Sequence, residues 1–152
     1  MKIWIIGLAL LAALVSRSAV AYEPVSLITQ EALIERLRQG DDQLLILDVR
    51  TPEEYVAGHV PGAVNVPHDA LRSHLASIPK DKDVVLYCRS GRRAGFAAAT
   101  LQDNGYSRLL QLEGDMIGWL QSERAVDTPA DPAACAAALA QGAVASPLCA
   151  PR

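Results

Sequence analysis

Short apolar runs in the middle of the chain each pass directly into a segment with a helical pattern. The runs cover residues 44–49 and 84–87, and residues 108–112 are predicted to form another buried strand. Such runs, without regular polar alternation, are typical of strands that are buried on both faces of a parallel sheet. Their alternation with helices predicts an α/β domain with a mainly parallel sheet.

Capping residues and apolar spacing predict the helices. They cover residues 29–40, a segment starting at Pro52, and residues 68–78, 93–103 and 116–121. Thr29 is placed to cap the first helix, and proline suits the first position of the second. A short strand over residues 63–66 is stopped by Pro67. Residues 122–152 are rich in alanine and proline, and we expect a loosely packed appendage that is partly helical over 132–141.

The first 21 residues are typical of a cleaved secretory signal. Lys2 precedes an apolar stretch over residues 3–15, and small residues suited to cleavage end at Ala21. A retained membrane anchor is the weaker interpretation, because the stretch is shorter than the roughly 20 residues that span a bilayer and Arg17 interrupts any extension. We expect a periplasmic protein, not attached to the membrane after cleavage, with three parts: a signal peptide over 1–21, a domain over 22–121 and an appendage over 122–152.

The acidic balance of the chain argues against nucleic acid as a partner. The chain has 14 basic and 17 acidic residues, and removal of the signal leaves 12 basic residues and a formal charge of −5. Nucleic-acid-binding domains carry the opposite balance. The arginines after Cys88 are clustered, which suggests a small anionic substrate that is steered to one site.

Three cysteines are an odd number for an exported protein, in which cysteines tend to pair. Cys135 and Cys149 both lie in the tail, whereas Cys88 lies in the middle of the globular pattern. We predict a Cys135–Cys149 disulfide and a Cys88 thiol outside it. A loop of about 15 residues would contribute roughly 3 kcal/mol on the chain-entropy view. Two unpaired tail thiols are the alternative.

Cys88 begins the stretch Cys-Arg-Ser-Gly-Arg-Arg, which lies between the end of a predicted strand and the start of a predicted helix. The first N–H groups of a helix lack internal partners and carry the positive end of its dipole, so they favour an anion. Cysteine is nucleophilic as the thiolate, and nearby arginines favour that form. Cys88 is therefore a candidate nucleophile, and the alternative is a small buried residue that closes a strand.

Four stretches, in order, resemble the rhodanese family of sulfurtransferases in its single-domain exported form. They are LDVRTPEEY at 47–55, GHVPGAVNVP at 58–67, VVLYCRSGRR at 84–93 and LEGDMIGW at 112–119. The resemblance spans about residues 27–121 and implies a rhodanese-like domain, with a mainly parallel sheet of about five strands flanked by helices. It also implies an enzyme that moves sulfane sulfur from thiosulfate or a similar donor to cyanide or a thiol, through a persulfide and without a bound cofactor.

The same resemblance assigns roles to the residues of the loop. Cys88 matches the nucleophile, and the backbone N–H groups after it form a cradle for sulfur. Gly91 permits the tight turn, and Ser90 can donate its hydroxyl to a bound anion. Three arginines are candidate ligands for sulfonate-like oxygens, or braces for the loop through an acid such as Asp48: Arg89, Arg92 and Arg93.

Polar residues outside the loop have weaker functional indications. Asp48 and Arg50 lie at the carboxyl end of a strand, where open α/β sheets place their sites, yet a structural ion pair or helix cap is the favoured interpretation. His59 resembles a motif histidine that supports packing. His68 and His74 lack cysteine or carboxylate partners at ligand spacing, so no metal site is predicted.

Asp115 departs from the family's pattern, which often has a second glycine at this place. A carboxylate near the mouth of the pocket would weaken the binding of anionic donors. Alternatively, Asp115 caps the last helix.

Other functions account for parts of the pattern. Phosphatases or arsenate reductases of a related fold close their loop with an arginine six positions after the cysteine, where this chain has Ala94, so the loop is one residue shorter than a phosphate needs. A non-catalytic rhodanese-like module for sulfur binding or interaction would have lost the nucleophile. A thiol-disulfide oxidoreductase would need the tail cysteines to reach Cys88, and no Cys-x-x-Cys motif supports it.

We expect the protein to be a monomer whose partners are a small anionic sulfur donor and a thiophilic acceptor.

Overall fold

Five parallel strands form one sheet in the computed structural model, which describes residues 24–144 and 146–151. The strands are Ser26–Ile28 (β1), Leu44–Asp48 (β2), Val64–Asn65 (β3), Asp83–Tyr87 (β4) and Leu109–Leu112 (β5). Their order across the sheet is β1-β5-β4-β2-β3, and every pairing is parallel. The predicted α/β class is confirmed, while the predicted signal peptide lies outside the described residues.

Helices cover both faces of this sheet. They are Gln30–Arg38 (α1), Pro52–Val56 (α2), Arg92–Asp103 (α3), Asp115–Gln121 (α4) and Pro132–Ala140 (α5). Thr29 caps α1 by accepting the Ala32 N–H at 3.1 Å, and Thr51 and Glu54 form a capping box at α2. The predicted helix over 68–78 is instead a 3₁₀ helix at Leu71–Ser77, with a second at Pro147–Cys149.

Successive side chains of β4 enter two different apolar cores, as the pleat of a strand requires. Val85 and Tyr87 pack with Leu33 of α1 and Trp119 of α4. The other face, with Val84, Leu86 and Cys88, packs against the small residues of α3. Burial on both faces explains why β4 has a continuous apolar sequence.

The first strand was not predicted from the sequence. It has three residues and lies at the edge of the sheet beside β5, with Leu27 62% exposed and Ile28 buried. A segment that short has too little periodicity to predict a strand, so its pairing with β5 decides its structure.

The tail is packed more closely than the sequence predicted. A disulfide joins Cys135 and Cys149, and both belong to the same buried cluster as Tyr55 of α2. Backbone hydrogen bonds between His59 and Asp127, at 3.0 and 2.9 Å, tie the start of the tail to the loop after α2. In the part of the chain that the structure describes, no helix is both long and apolar enough to cross a membrane.

Candidate active site

Cys88 lies at the carboxyl end of β4 and begins the loop that leads into α3. Its Sγ accepts the backbone N–H of Gly91 at 3.1 Å, so the sulfur is at the N-terminal end of a 12-residue helix. The residue is 1% exposed and belongs to no disulfide. This placement provides a hydrogen-bond donor and a helix dipole that both favour negative charge on sulfur.

Gly91 makes the tight return of this loop possible. Its φ of +92° lies in the left-handed region, where a Cβ is unfavourable. A Cβ added there would also lie 2.9 Å from Nε2 of Gln111 and 3.0 Å from Oδ2 of Asp115. The loop therefore depends on glycine for its backbone angle and for its close approach to the residues beneath it.

Asp115 lies beneath the loop. Its Oδ1 accepts the Cys88 N–H at 2.8 Å, and its Oδ2 accepts a hydrogen bond from Gln111 at 3.1 Å. In return, the N–H groups of Met116 and Ile117 donate to the carbonyls of Cys88 and Arg89 at 3.0 and 3.1 Å. Hydrogen bonds to backbone groups of Cys88 and Arg89 therefore attach the cysteine loop to the start of α4.

The position of Asp115 differs from both expectations for it. The side chain is 4% exposed, so it does not line the mouth of a pocket. It does not cap α4 either, because its carboxylate accepts hydrogen bonds from the cysteine loop and from β5. The N-cap residue of α4 is Gly114. Burial raises the pKa of Asp115, although hydrogen bonds from the backbone of Cys88 and from Gln111 oppose that rise. Its φ of +51° suits aspartate better than most residues, and glycine better still.

The three loop arginines occupy different surroundings. Arg89 and Ser90 are exposed, and exposed Arg92 lies over the ring of Phe96 at 5.7 Å from its centroid. Arg93 donates to both oxygens of Glu54, at 2.6 and 2.8 Å. The pKa of Arg93 is raised mainly by this hydrogen bonding with Glu54, and to a lesser degree by the Cys88 side chain. Arg93 is therefore a brace that still contributes positive charge at the sulfur.

Asp48 and Arg50 form a buried ion pair. Arg50 donates to both oxygens of Asp48, with the shortest contact 2.5 Å, and also to the Gly58 carbonyl at 2.9 Å. Tyr87 donates its hydroxyl to Asp48 at 2.6 Å and accepts the N–H of Val60 at 3.1 Å. These contacts fix the loop after α2 to β2 and β4, which is a structural role.

Two of the three histidines, His59 and His74, also serve the structure. His59 stacks on Tyr55 with ring centroids 3.7 Å apart, its Nδ1 lies 2.9 Å from the Tyr55 carbonyl, and burial lowers its pKa. His74 Nε2 contacts the Gly142 carbonyl of the tail at 3.1 Å. Among the described residues, no three His, Cys, Asp or Glu side chains are grouped so that they could hold a metal ion.

Two participants of the site were missed in the sequence. Glu54 pairs with Arg93 across 39 residues, and Gln111 supports Asp115 from β5. Glu54 was recognisable only as part of a capping box, and nothing local distinguishes Gln111. Gln111 lies near the carboxyl end of β5, beside β4, whereas Glu54 and Arg93 lie in the helices that follow β2 and β4. The parallel sheet brings all of these segments to the same edge.

Comparison with known proteins places this geometry in a family. Residues 29–122 match the family described as Rhodanese-like domain. A sulfurtransferase of Allochromatium vinosum is 44% identical over 95 residues, which cover 62% of this chain and 88% of the relative. A rhodanese-related protein of Thermoplasma volcanium shares the fold with a TM-score of 0.59 and 26% identity, covering 66% of this chain and 96% of that one.

The fold alone does not choose between chemistries. A structure from Rhodopseudomonas palustris, described as a possible tyrosine phosphatase, has a TM-score of 0.59 and 24% identity, and covers 68% of this chain and 85% of that one. The match over residues 29–122 and the sulfurtransferase relative decide the family. This chain belongs to the rhodanese-like family of sulfurtransferases.

Proposed function

We propose that the protein transfers sulfane sulfur from thiosulfate, or a similarly small anionic donor, to cyanide or a thiol through a persulfide on Cys88. The observation that carries the proposal is the position of Sγ, which accepts the Gly91 N–H at 3.1 Å at the start of α3. The N–H donor and the positive end of the helix dipole both favour negative charge on the sulfur that attacks the donor.

The reaction divides into two displacements. The Cys88 thiolate attacks the outer sulfur of thiosulfate, the sulfur–sulfur bond of the donor breaks, and sulfite leaves with the bonding electrons. The acceptor then attacks the outer sulfur of the persulfide, and Cys88 leaves as thiolate. Sulfur is carried on the protein itself, so the mechanism is covalent catalysis of the ping-pong type.

The size of the loop favours sulfur over phosphate. Helix α3 begins at Arg92, and Ala94, six positions after the nucleophile, is fully buried against the core. A phosphate-binding loop is closed by an arginine at that position, and alanine has no guanidinium to take its place. The exposed Arg89 and Ser90 lie next to Cys88 in the chain, where they suit the oxygens of a small anion.

We extend the proposal to a periplasmic, monomeric protein released from its signal peptide. The Cys135–Cys149 disulfide supports export, since structural disulfides form in oxidising compartments. N-terminal sequencing of protein purified from the periplasmic fraction should begin at Tyr22. Recovery of the full chain from the cytoplasm would contradict export.

Intact mass spectrometry tests the sulfur chemistry directly. The mature protein is measured before thiosulfate, after thiosulfate, and again after cyanide. We expect a gain of about one sulfur atom that cyanide removes and that Cys88→Ser does not show. No gain by a protein whose Cys88 is reduced would instead favour a non-catalytic sulfur-binding or interaction module.

A further inference from the structure

Asp115 is a buried acid without a cation, and the two displacements described above give it no role. Its side chain is 4% exposed. The other buried acid, Asp48, is paired with Arg50. Among the described residues, no lysine, arginine or histidine forms an ion pair with Asp115. A buried charge without a counter-charge is costly, so its presence beside the nucleophile calls for an explanation.

Both oxygens of this carboxyl group accept hydrogen bonds from neutral donors. Oδ1 accepts the Cys88 N–H at 2.8 Å, and Oδ2 accepts the side-chain amide of Gln111 at 3.1 Å. This is the hydrogen-bond pattern of an ionised carboxylate, which only accepts. Neutral donors stabilise the negative charge without cancelling it, so its field extends to the groups around it.

The charge lies beneath the loop that holds the reacting sulfur. Oδ1 is 2.8 Å from the backbone nitrogen of Cys88, and a Cβ added to Gly91 would lie 3.0 Å from Oδ2. The backbone nitrogen of Gly91 is in turn 3.1 Å from the Cys88 sulfur. The carboxylate therefore adjoins both ends of the turn around the sulfur, which is where a donor must bring its own charge.

The positive field that attracts an anionic donor to this place is limited. The N-terminal end of α3 faces the sulfur, but Glu54 takes both hydrogen bonds of Arg93. Arg89 and Arg92 are exposed to solvent, which screens them. The field of Asp115 opposes these groups, and the opposition grows with each negative charge on the donor.

We propose that Asp115 is a specificity-determining residue that favours sulfur donors with one negative charge over donors with two. This inference deepens the sulfur transfer proposed above and rests on it. The substrate class it names is the singly charged sulfane-sulfur donor, of which the thiosulfonates are simple examples, whereas thiosulfate carries two charges. Asp115 acts through its charge from beneath the loop and does not touch the donor.

Thiosulfate and methanethiosulfonate are a matched pair of probes, because the same bond breaks in both. The Cys88 thiolate attacks the outer sulfur, the sulfur–sulfur bond of the donor breaks, and the leaving group takes the bonding electrons. Sulfite leaves from thiosulfate and methanesulfinate leaves from methanethiosulfonate, so the same persulfide remains on the protein. The two donors differ by one charge, since a methyl group replaces a charged oxygen.

The experiment measures the second-order rate constant of persulfide formation with each donor, by rapid quenching and intact mass. The mature protein with its disulfide intact is used at fixed ionic strength and about pH 8, above the ordinary range of a carboxyl group. Asp115→Asn removes the charge, keeps an oxygen for the Cys88 N–H and tolerates a φ of +51°. Glu113→Gln is the matched control, because it removes the same charge from an exposed position nearby.

Asp115→Asn should raise the ratio of the thiosulfate rate constant to the methanethiosulfonate rate constant by about tenfold, as expected for one charge acting across a partly screened site. Glu113→Gln should leave the ratio at the wild-type value, since solvent screens an exposed charge. A change in the reactivity of Cys88 or in the position of the loop acts on both donors and cancels in the ratio. The ratio therefore reports the charge of Asp115 and not its structural role.

An unchanged ratio in Asp115→Asn, with persulfide formed from both donors, would overturn the proposal and leave the proposed function standing. If Asp115→Asn does not fold, Asp115→Gly replaces it, because glycine suits the positive φ and the same charge is lost. The ratio should then rise in the same way. No mass gain from either donor by the folded wild-type protein would refute the proposed function, and this inference with it.

Discussion

The guanidinium of Arg93 forms a bidentate ion pair with the carboxylate of Glu54, with N–O distances of 2.6 and 2.8 Å. The pair joins the start of α3 to α2 across 39 residues of sequence. It anchors the helix whose N-terminus faces Cys88, so the position of the nucleophile depends partly on a neighbouring helix.

Glu54→Gln should make the protein less stable at neutral pH by about 0.5–1 kcal/mol, the usual range for a partly exposed pair. Hydrogen bonding from Arg93 lowers the pKa of Glu54 from 4.5 to about 2. Because the pKa of Glu54 is lower in the folded protein than in the unfolded chain, the ionised carboxylate contributes its full stabilisation above pH 4.5. That contribution is lost as the pH falls through about 2. Urea unfolding across this range should show the two proteins converging in acid, and Glu53→Gln, which is exposed, should follow the wild type.

Gly91→Ala should abolish most sulfur transfer, because the new Cβ meets Gln111 and Asp115 at 2.9 and 3.0 Å and the φ is +92°. The loop must shift, and with it the N–H that Sγ accepts. Gly95→Ala in the same helix is the control, since its Cβ meets nothing within 4 Å. That change should stabilise α3 by about 0.5–1 kcal/mol and leave the rate unchanged. Persulfide formation that survives in Gly91→Ala would argue against the cradle.

Arg50→Ala should destabilise the protein by about 3–5 kcal/mol, because it leaves the buried Asp48 carboxylate without its cation. Arg50 is 5% exposed and Asp48 is fully buried. Arg38→Ala removes an arginine whose side chain is 75% exposed and should change the free energy of unfolding by less than about 0.5 kcal/mol. Equal effects of the two substitutions in urea would contradict the structural role of the Asp48–Arg50 pair.

Reduction of the Cys135–Cys149 disulfide should lower the free energy of unfolding by about 3 kcal/mol, as expected for a closed loop of this length. The measurement is urea unfolding with and without reductant. A Cys135→Ala, Cys149→Ala double variant should show the lower stability in both conditions. The same variant should still form a persulfide in the absence of urea, because Cys88 does not take part in the disulfide.

Much of the fold was predictable because its strands are buried on both faces. The segments that became β2, β4 and β5 are apolar for that reason, and the helix after Cys88 carries small residues where it packs on the sheet. The edge strand β1 was not predictable, since its three residues, two of them exposed, depend for their structure on a strand far along the chain. The close packing of the tail was also missed, because an alanine-rich helix has little amphipathic pattern and its burial depends on α2.

The α/β class and the place of Cys88 between a strand and a helix follow from local sequence, because hydrophobic periodicity and turn residues act over short stretches of chain. Which charged groups lie near the sulfur depends instead on how distant segments pack. Asp115 lies beneath a cysteine 27 residues away, and Glu54 takes the hydrogen bonds of Arg93. Such contacts form where strand ends and helix termini converge in space, and burial there, which raises the pKa of Asp115, is a property of the folded chain.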